Sequence, residues 1–213
     1  MINQDDFHYM WRGKRTRLLP ASEINRLDPV HIYGKNHGRA LLLLHGFSSS
    51  PAVYRAMIPA LKHYDALVCQ ALPGHAENLE AFARVQASEW IAAADAACET
   101  LVQQYDSVEV IGLSLGGLLA HHLANTYPIQ HLYLLAPAFK LTFNLKFASA
   151  LAQVLHAMGL KYIKNRAGNL YTKTHDELTY RKLPVRTIIE LFTLIEQYEF
   201  KHPSCPIDLF LGR

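Results

Sequence analysis

Val110-Ile111-Gly112-Leu113-Ser114-Leu115-Gly116-Gly117 is the stretch on which the fold turns. A strand-like segment from Ser107 to Ile111 leads into it, and a small-residue stretch of helical character, Leu115 to Asn125, leads out. Gly112-Leu113-Ser114-Leu115-Gly116 therefore sits at a strand-to-helix turn. Such a turn is so sharp that side chains two residues either side of the serine would clash, which accounts for Gly112 and Gly116. It lifts the Ser114 hydroxyl above the carboxyl edge of a sheet, where it can attack a carbonyl. An ordinary Gly-rich turn between strand and helix shares this composition. The strand before and the helix after favour a nucleophile.

Upstream, Ala40 to Leu44 is a short apolar run, as expected of a strand buried on both faces, and it runs into His45-Gly46-Phe47. In this arrangement the Phe47 amide points at Ser114 and, with the Leu115 amide, can stabilise a tetrahedral oxyanion. Leu115 also lies at a helix N-terminus, whose dipole favours developing negative charge. His45 reads as a buried residue bracing this loop, because a general base must reach the serine oxygen directly.

Further strands are expected at Pro29 to Tyr33, Ala66 to Cys69, Leu132 to Leu135 and Pro206 to Leu211. The first ends in the turn cluster Gly34-Lys35-Asn36-His37-Gly38, which suggests a hairpin with the strand that follows. Ile91, Ala94, Cys98, Leu101 and Tyr105 recur at helical spacing, as do Ile188, Leu191, Phe192, Ile195 and Tyr198. This alternation predicts an α/β fold: one domain spanning 1–213, with a mostly parallel sheet and helices on both faces. Residues 138–183 interrupt it with an amphipathic stretch (Phe147, Leu151, Val154, Leu155, Met158) and a polar segment from Lys164 to Glu177. No strand signal appears there, and the expectation is an inserted helical cap.

The chain has 213 residues, is 50% apolar and 18% charged, and carries 11 Gly and 10 Pro, which supports a buried core and excludes a disordered or fibrous protein. Its formal charge of +3 comes from scattered basic residues, so no nucleic-acid partner is expected. Only Arg12, Lys14, Arg15 and Arg17 bunch together, and they read as a solvated N-terminal arm rather than a docking patch. Cys69, Cys98 and Cys205 follow no metal or redox spacing and read as reduced structural thiols. The acidic start Met1-Ile2-Asn3-Gln4-Asp5-Asp6 is unlike a signal peptide, and no apolar run approaches the ~18 residues of a membrane span. A cytoplasmic protein is expected. The amphipathic stretch is flanked only by Lys146 and Lys161, too few bases for a typical interfacial helix, so a membrane partner is not expected.

With these residues placed, the sequence resembles the α/β-hydrolase family, most closely bacterial carboxylesterases and monoacylglycerol lipases with a small helical cap. The resemblance runs from about Ala40 to Arg213. It rests on His45-Gly46-Phe47, Leu72-Pro73-Gly74-His75, Trp90 before the helix, Gly112 to Gly117, and the closing Pro206-Ile207-Asp208-Leu209-Phe210-Leu211. It implies ester hydrolysis through an acyl-enzyme on Ser114, with Phe47 and Leu115 as oxyanion amides and no metal or cofactor. Phe47, Leu115, Phe139 and Phe143 would contact a small acyl ester, although aromatic residues in a cap as readily pack it onto the sheet.

The resemblance also implies an acid just after the Pro206–Leu211 strand and a histidine further on, and the chain stops at Arg213. His75 lies in a structural loop, His121 and His122 lie roughly 10 Å down the helix from Ser114, nothing aims His175 or Asp176 at Ser114, and Asp208 falls within the strand rather than after it. The expectation is therefore a C-terminally truncated esterase lacking its last strand and helix. Near-zero p-nitrophenyl ester turnover and no ordinary-rate labelling of Ser114 would follow. The alternative is an inactive hydrolase fold that binds an acyl ligand or a protein partner. Either way Ile207 to Leu211 becomes an exposed edge strand, from which self-association is expected.

Overall fold

Strands with apolar side chains on both faces must be covered on both sides, and this requirement organises the molecule. The computed structural model describes residues 1–11, 15–141, 143–165 and 176–212. In chain order these form β1 (Phe7–Trp11), β2 (Arg15–Leu18), β3 (Val30–Tyr33), β4 (Arg39–Leu44), β5 (Ala66–Cys69), α1 (Leu79–Arg84) and α2 (Ala87–Gln104). There follow β6 (Ser107–Leu113), α3 (Leu115–Thr126), β7 (His131–Leu135), α4 (Leu145–Ala157), β8 (Tyr162–Lys164), β9 (Glu177–Tyr180), β10 (Lys182–Pro184), α5 (Val185–Gln197) and β11 (Ile207–Phe210).

The central sheet has the order β11-β7-β6-β4-β5-β3. Every pairing in it is parallel except that of β3 with β5. Successive residues of β4 enter two cores, as a two-residue side-chain period requires. Leu42 and Leu44 pack with Trp90, Cys98 and Leu101 of α2 and with Leu118, Leu119 and Leu123 of α3. Leu41 and Leu43 pack on the other face with Tyr54, Leu67 and Ile111, beneath the 3-10 turns Pro51–Tyr54 and Ile58–Ala60. Each fully buried leucine contributes roughly 1.5–3 kcal/mol.

The structure departs from the sequence reading in two places. β3 and β4 form no hairpin. β4 already has β5 on one edge and β6 on the other, so β3 joins the free edge of β5. The intervening turn is tied down instead by the Gly34 amide, which donates to the Asp65 carbonyl (2.6 Å). Residues 138–183 are also not purely helical. Besides α4 they hold β8, β9 and part of β10. β8 pairs with β10, and β9 pairs with β1, giving a second antiparallel sheet of order β2-β1-β9. These strands are three to five residues long, too short to show a period, and β9 finds its partner at the far end of the chain.

The start of the chain is accordingly structural. Phe7, Tyr9 and Met10 of β1 are buried, and Arg17 on the exposed β2 lies over the Tyr9 ring (4.9 Å). Arg12, Lys14, His175 and Arg213 lie outside the described residues. Among the described residues no helix is long and apolar enough to cross a membrane.

Candidate active site

The site is built on the junction of β6 and α3. Ser114 adopts φ 54° and ψ −112°, a conformation that costs a residue with a Cβ about 1–3 kcal/mol unless its surroundings impose it. They do. Its amide donates to the Leu135 carbonyl (3.0 Å), and its carbonyl accepts from Gly117 (3.0 Å), Leu118 (3.2 Å) and Ala138 (3.0 Å). The two neighbouring glycines are required by space. A Cβ on Gly112 would stand 2.2 Å from the Gly116 carbonyl oxygen, and one on Gly116 would stand 1.9 Å from that of Leu44. Among the described residues the Ser114 hydroxyl has no hydrogen-bond partner.

The turn after β4 lies against this serine. A Cβ on Gly46 would be 3.3 Å from the Leu113 carbonyl oxygen and 3.4 Å from Ser114 Cβ. The Phe47 amide donates to no described residue. The Leu115 amide, first in its helix, has no acceptor one turn back. Both are available to a developing anion. The Phe47 ring packs on Phe82 (5.3 Å between centroids), Trp90 (6.1 Å) and His75 (6.2 Å), which anchors the loop. Trp90 falls within α2 rather than before it, and its indole N–H donates to the Pro73 carbonyl (3.0 Å).

Two histidines clamp this loop reciprocally. His45, on the loop, accepts the Leu72 amide at Nε2 (3.0 Å), so its proton sits on Nδ1 and is donated to the Gly46 carbonyl (3.0 Å). His75, on the facing loop, accepts the Ser48 amide at Nε2 (3.2 Å) and donates from Nδ1 to the Pro73 carbonyl (3.2 Å). Burial lowers the His45 pKa to about 4, and burial together with His45 holds His75 well below its ordinary value. Both are neutral with both ring nitrogens committed, so neither is free to take a proton from Ser114.

The other candidate bases are engaged elsewhere. His121 Nδ1 meets the Tyr198 hydroxyl, His122 Nε2 meets Asp95 (3.0 Å), and Asp208 meets His131 Nε2 (3.1 Å). His131 begins β7 whereas Ser114 follows the end of the parallel β6, so Asp208 lies toward the opposite edge of the sheet.

The expected substrate contacts fall in different places. Leu115 is completely buried in the core, so any contact of this residue with a ligand is through its backbone. Phe139 packs with His121, Tyr198 and Phe200, and Phe143 is half exposed beside Phe192. Sequence reasoning missed the residues that hold the loop from the far side. Ser48 has φ 60°, and its carbonyl accepts from the Thr179 hydroxyl (2.8 Å) and the Tyr180 amide (3.1 Å). Asn165 Nδ2 donates to Thr179 Oγ1 (3.0 Å) and the Tyr180 carbonyl (2.8 Å). Nothing in Phe47-Ser48-Ser49-Ser50 announces these contacts, which come from residues more than 110 positions away.

A parallel sheet with a serine at positive φ in a strand-to-helix turn, beside a His-Gly turn, defines the α/β-hydrolase fold. The chain belongs to the uncharacterised protein family (UPF0227), whose family model matches residues 40–191. It is 27% identical over 186 residues to the thermostable monoacylglycerol lipase of Bacillus sp. (strain H-257), covering 84% of this chain and 72% of that one. A solved structure from the metagenome-derived lipolytic enzymes LipS and LipT superposes with TM-score 0.77 at 22% identity, covering 88% of this chain and 76% of the other. The monoacylglycerol lipase of Paleococcus ferrophilus gives TM-score 0.65 at 20% identity, with 86% and 76% covered. These two structures share the fold.

Proposed function

We propose that the protein is a serine hydrolase of carboxylic esters, carboxylesterase-like or monoacylglycerol lipase-like, acting through an acyl-enzyme on Ser114. The observation that carries this is the backbone of Ser114, at φ 54° between two glycines that admit no side chain. Strain of this kind persists where the surroundings impose it and is concentrated at reactive sites. In the proposed reaction Ser114 Oγ bonds to the ester carbonyl carbon, and the oxyanion is received by the Phe47 and Leu115 amides. The alcohol then leaves with a proton, and water hydrolyses the acyl-serine. The similarity to a monoacylglycerol lipase supports glycerides as a substrate class, and short or medium acyl esters with residues 138–183 as a cap belong to the same proposal.

Among the described residues no histidine is poised as the general base. This favours weak turnover by the 213-residue chain and keeps a second reading, an inactive fold binding an acyl ligand or partner, in contention. Chemical rescue separates the two. Once the protein-free rate at each imidazole concentration is subtracted, turnover of p-nitrophenyl butyrate is expected near zero without imidazole and to rise with it, with no rise in Ser114→Ala. An equal rise in Ser114→Ala would overturn the assignment of the nucleophile. No rise in either protein would favour the inactive fold, and fast turnover without imidazole would show that a base is already in place.

A further inference from the structure

Away from Ser114, the second sheet and the β8–β10 ladder enclose a cleft of about 450 Å³ framed by positive charge. Lys164, Arg181 and Lys182 line it, together with His8, Thr16 and Asn165. Lys164 and Lys182 are direct cross-strand partners. Such partners project from the same face with Cβ atoms about 4.5–5.5 Å apart, and like charges placed there repel. Among the described residues no carboxylate pairs with any of the three bases. Arg181 is held in place by its Nη1, which donates to the Asp5 carbonyl (2.8 Å), and by its amide, which donates to that of Asp6 (2.8 Å).

His8, 7% exposed, walls the same cleft, and its Nε2 has no partner. Burial and the nearby Arg181 charge lower its pKa and favour the neutral imidazole. Glu177, the cross-strand partner of Met10, shares this face of the sheet but does not line the cleft.

We propose that this cleft is an anion site that takes a phosphate group between Lys164, Lys182 and Arg181. Three unpaired cations call for more charge than a carboxylate carries. A phosphomonoester brings about −1.5 to −2 at neutral pH with three acceptor oxygens, enough to engage all three bases. Charge-assisted hydrogen bonds from opposed lysines to one phosphate turn a repulsive pair into a cross-strand bridge. Lys164 precedes Asn165, whose Nδ2 also reaches Ser48 Oγ (3.4 Å), so the occupied ladder is joined to the loop that carries Phe47.

The phosphate can be a free ion or the end of an organic ligand, and thermal unfolding tests both. Inorganic phosphate, glycerol 3-phosphate and chloride are compared at matched ionic strength, in wild type and in the double variant Lys164→Gln/Lys182→Gln. The wild-type midpoint is expected to rise saturably with either phosphate and not with chloride. The double variant should unfold no earlier than wild type in chloride, since its repulsion is gone, and should bind phosphate at least about tenfold more weakly. Tighter binding of glycerol 3-phosphate identifies an organic phosphomonoester as the ligand type, and equal binding identifies the ion. No rise beyond that in chloride, or the same rise in the double variant, would overturn the site.

Discussion

Gly116→Ala isolates the geometry on which the serine site depends. Its new Cβ would lie 1.9 Å from the Leu44 carbonyl oxygen, 2.5 Å from the Leu44 carbonyl carbon and 2.7 Å from the His45 carbonyl oxygen. Cβ contacts under 3.0 Å are essentially never observed, so α3 and β4 must separate by at least about 1.1 Å, the difference between 3.0 and 1.9. The atoms in the way are backbone, and β4 is hydrogen-bonded on both edges, so no side chain can swing aside. Overpacking of this kind costs about 1–3 kcal/mol, and the gain in helix propensity from Gly to Ala returns at most about 1 kcal/mol. The clash is with three backbone atoms of Leu44 and His45 at once and takes the upper part of that range, leaving a net loss of about 2 kcal/mol. For a domain of this size that lowers the thermal midpoint by roughly 4–8 °C. Circular dichroism melts of wild type, Gly116→Ala and Gly117→Ala provide the test. Gly117→Ala has one contact under 3.0 Å, to Pro137 Cβ at 2.8 Å, with the Gly112 carbonyl oxygen at 3.2 Å, and should lose less. A Gly116→Ala midpoint within about 1 °C of wild type would refute the argument that this turn admits no side chain.

Acid should weaken the fold above the usual carboxylate range. His45 has its pKa lowered to about 4 by burial, so as pH falls below 6.5 the unfolded chain takes up this proton before the folded one. Its stabilising contribution is complete above 6.5 and is lost as the pH falls toward 4, about 2 kcal/mol of it by pH 5. His75, lowered in the same direction, adds to this. Urea midpoints at pH 7 and pH 5 measure the loss, which should shrink in His45→Gln; equal midpoints in wild type would contradict the buried neutral pair. At the sheet edge, Leu209, Phe210 and Leu211 are 54%, 55% and 71% exposed. The 213-residue chain is expected to self-associate through β11, and Leu209→Lys should reduce this in light scattering. A monomer across a wide concentration range would count against it.

What the sequence disclosed and what it hid divide along physical lines. The run at Ala40–Leu44 was legible because a doubly buried strand leaves no polar residue inside it, and Ser107–Ile111 because Val108, Val110 and Ile111 lead directly into the glycine-flanked serine. Gly112 and Gly116 were legible because close backbone approach excludes every other residue. The pairing of β3 with β5 was hidden, since a turn-rich linker looks alike whether the next strand lies beside it or one position away. The β2-β1-β9 sheet was hidden because its strands are short and its partners lie some 170 residues apart, as in Phe7 opposite Tyr180. The clamp of His45 and His75 was half legible. His45 could be assigned a bracing role from its place on the loop, but the reciprocal bond from Ser48 to His75 depends on a positive φ at Ser48 that serine does not advertise. The opposed lysines at 164 and 182 became visible only with the register of β8 and β10.

The central claim, that Ser114 is the nucleophile of an ester hydrolase whose general base is not among the described histidines, is tested most directly by fluorophosphonate labelling followed by peptide mass spectrometry. The account predicts an adduct that forms slowly over a long incubation, maps to the peptide containing Ser114 and disappears in Ser114→Ala. An adduct on another residue, or none after long incubation, would contradict the assignment of Ser114. Rapid labelling at Ser114 would contradict the absence of a poised base.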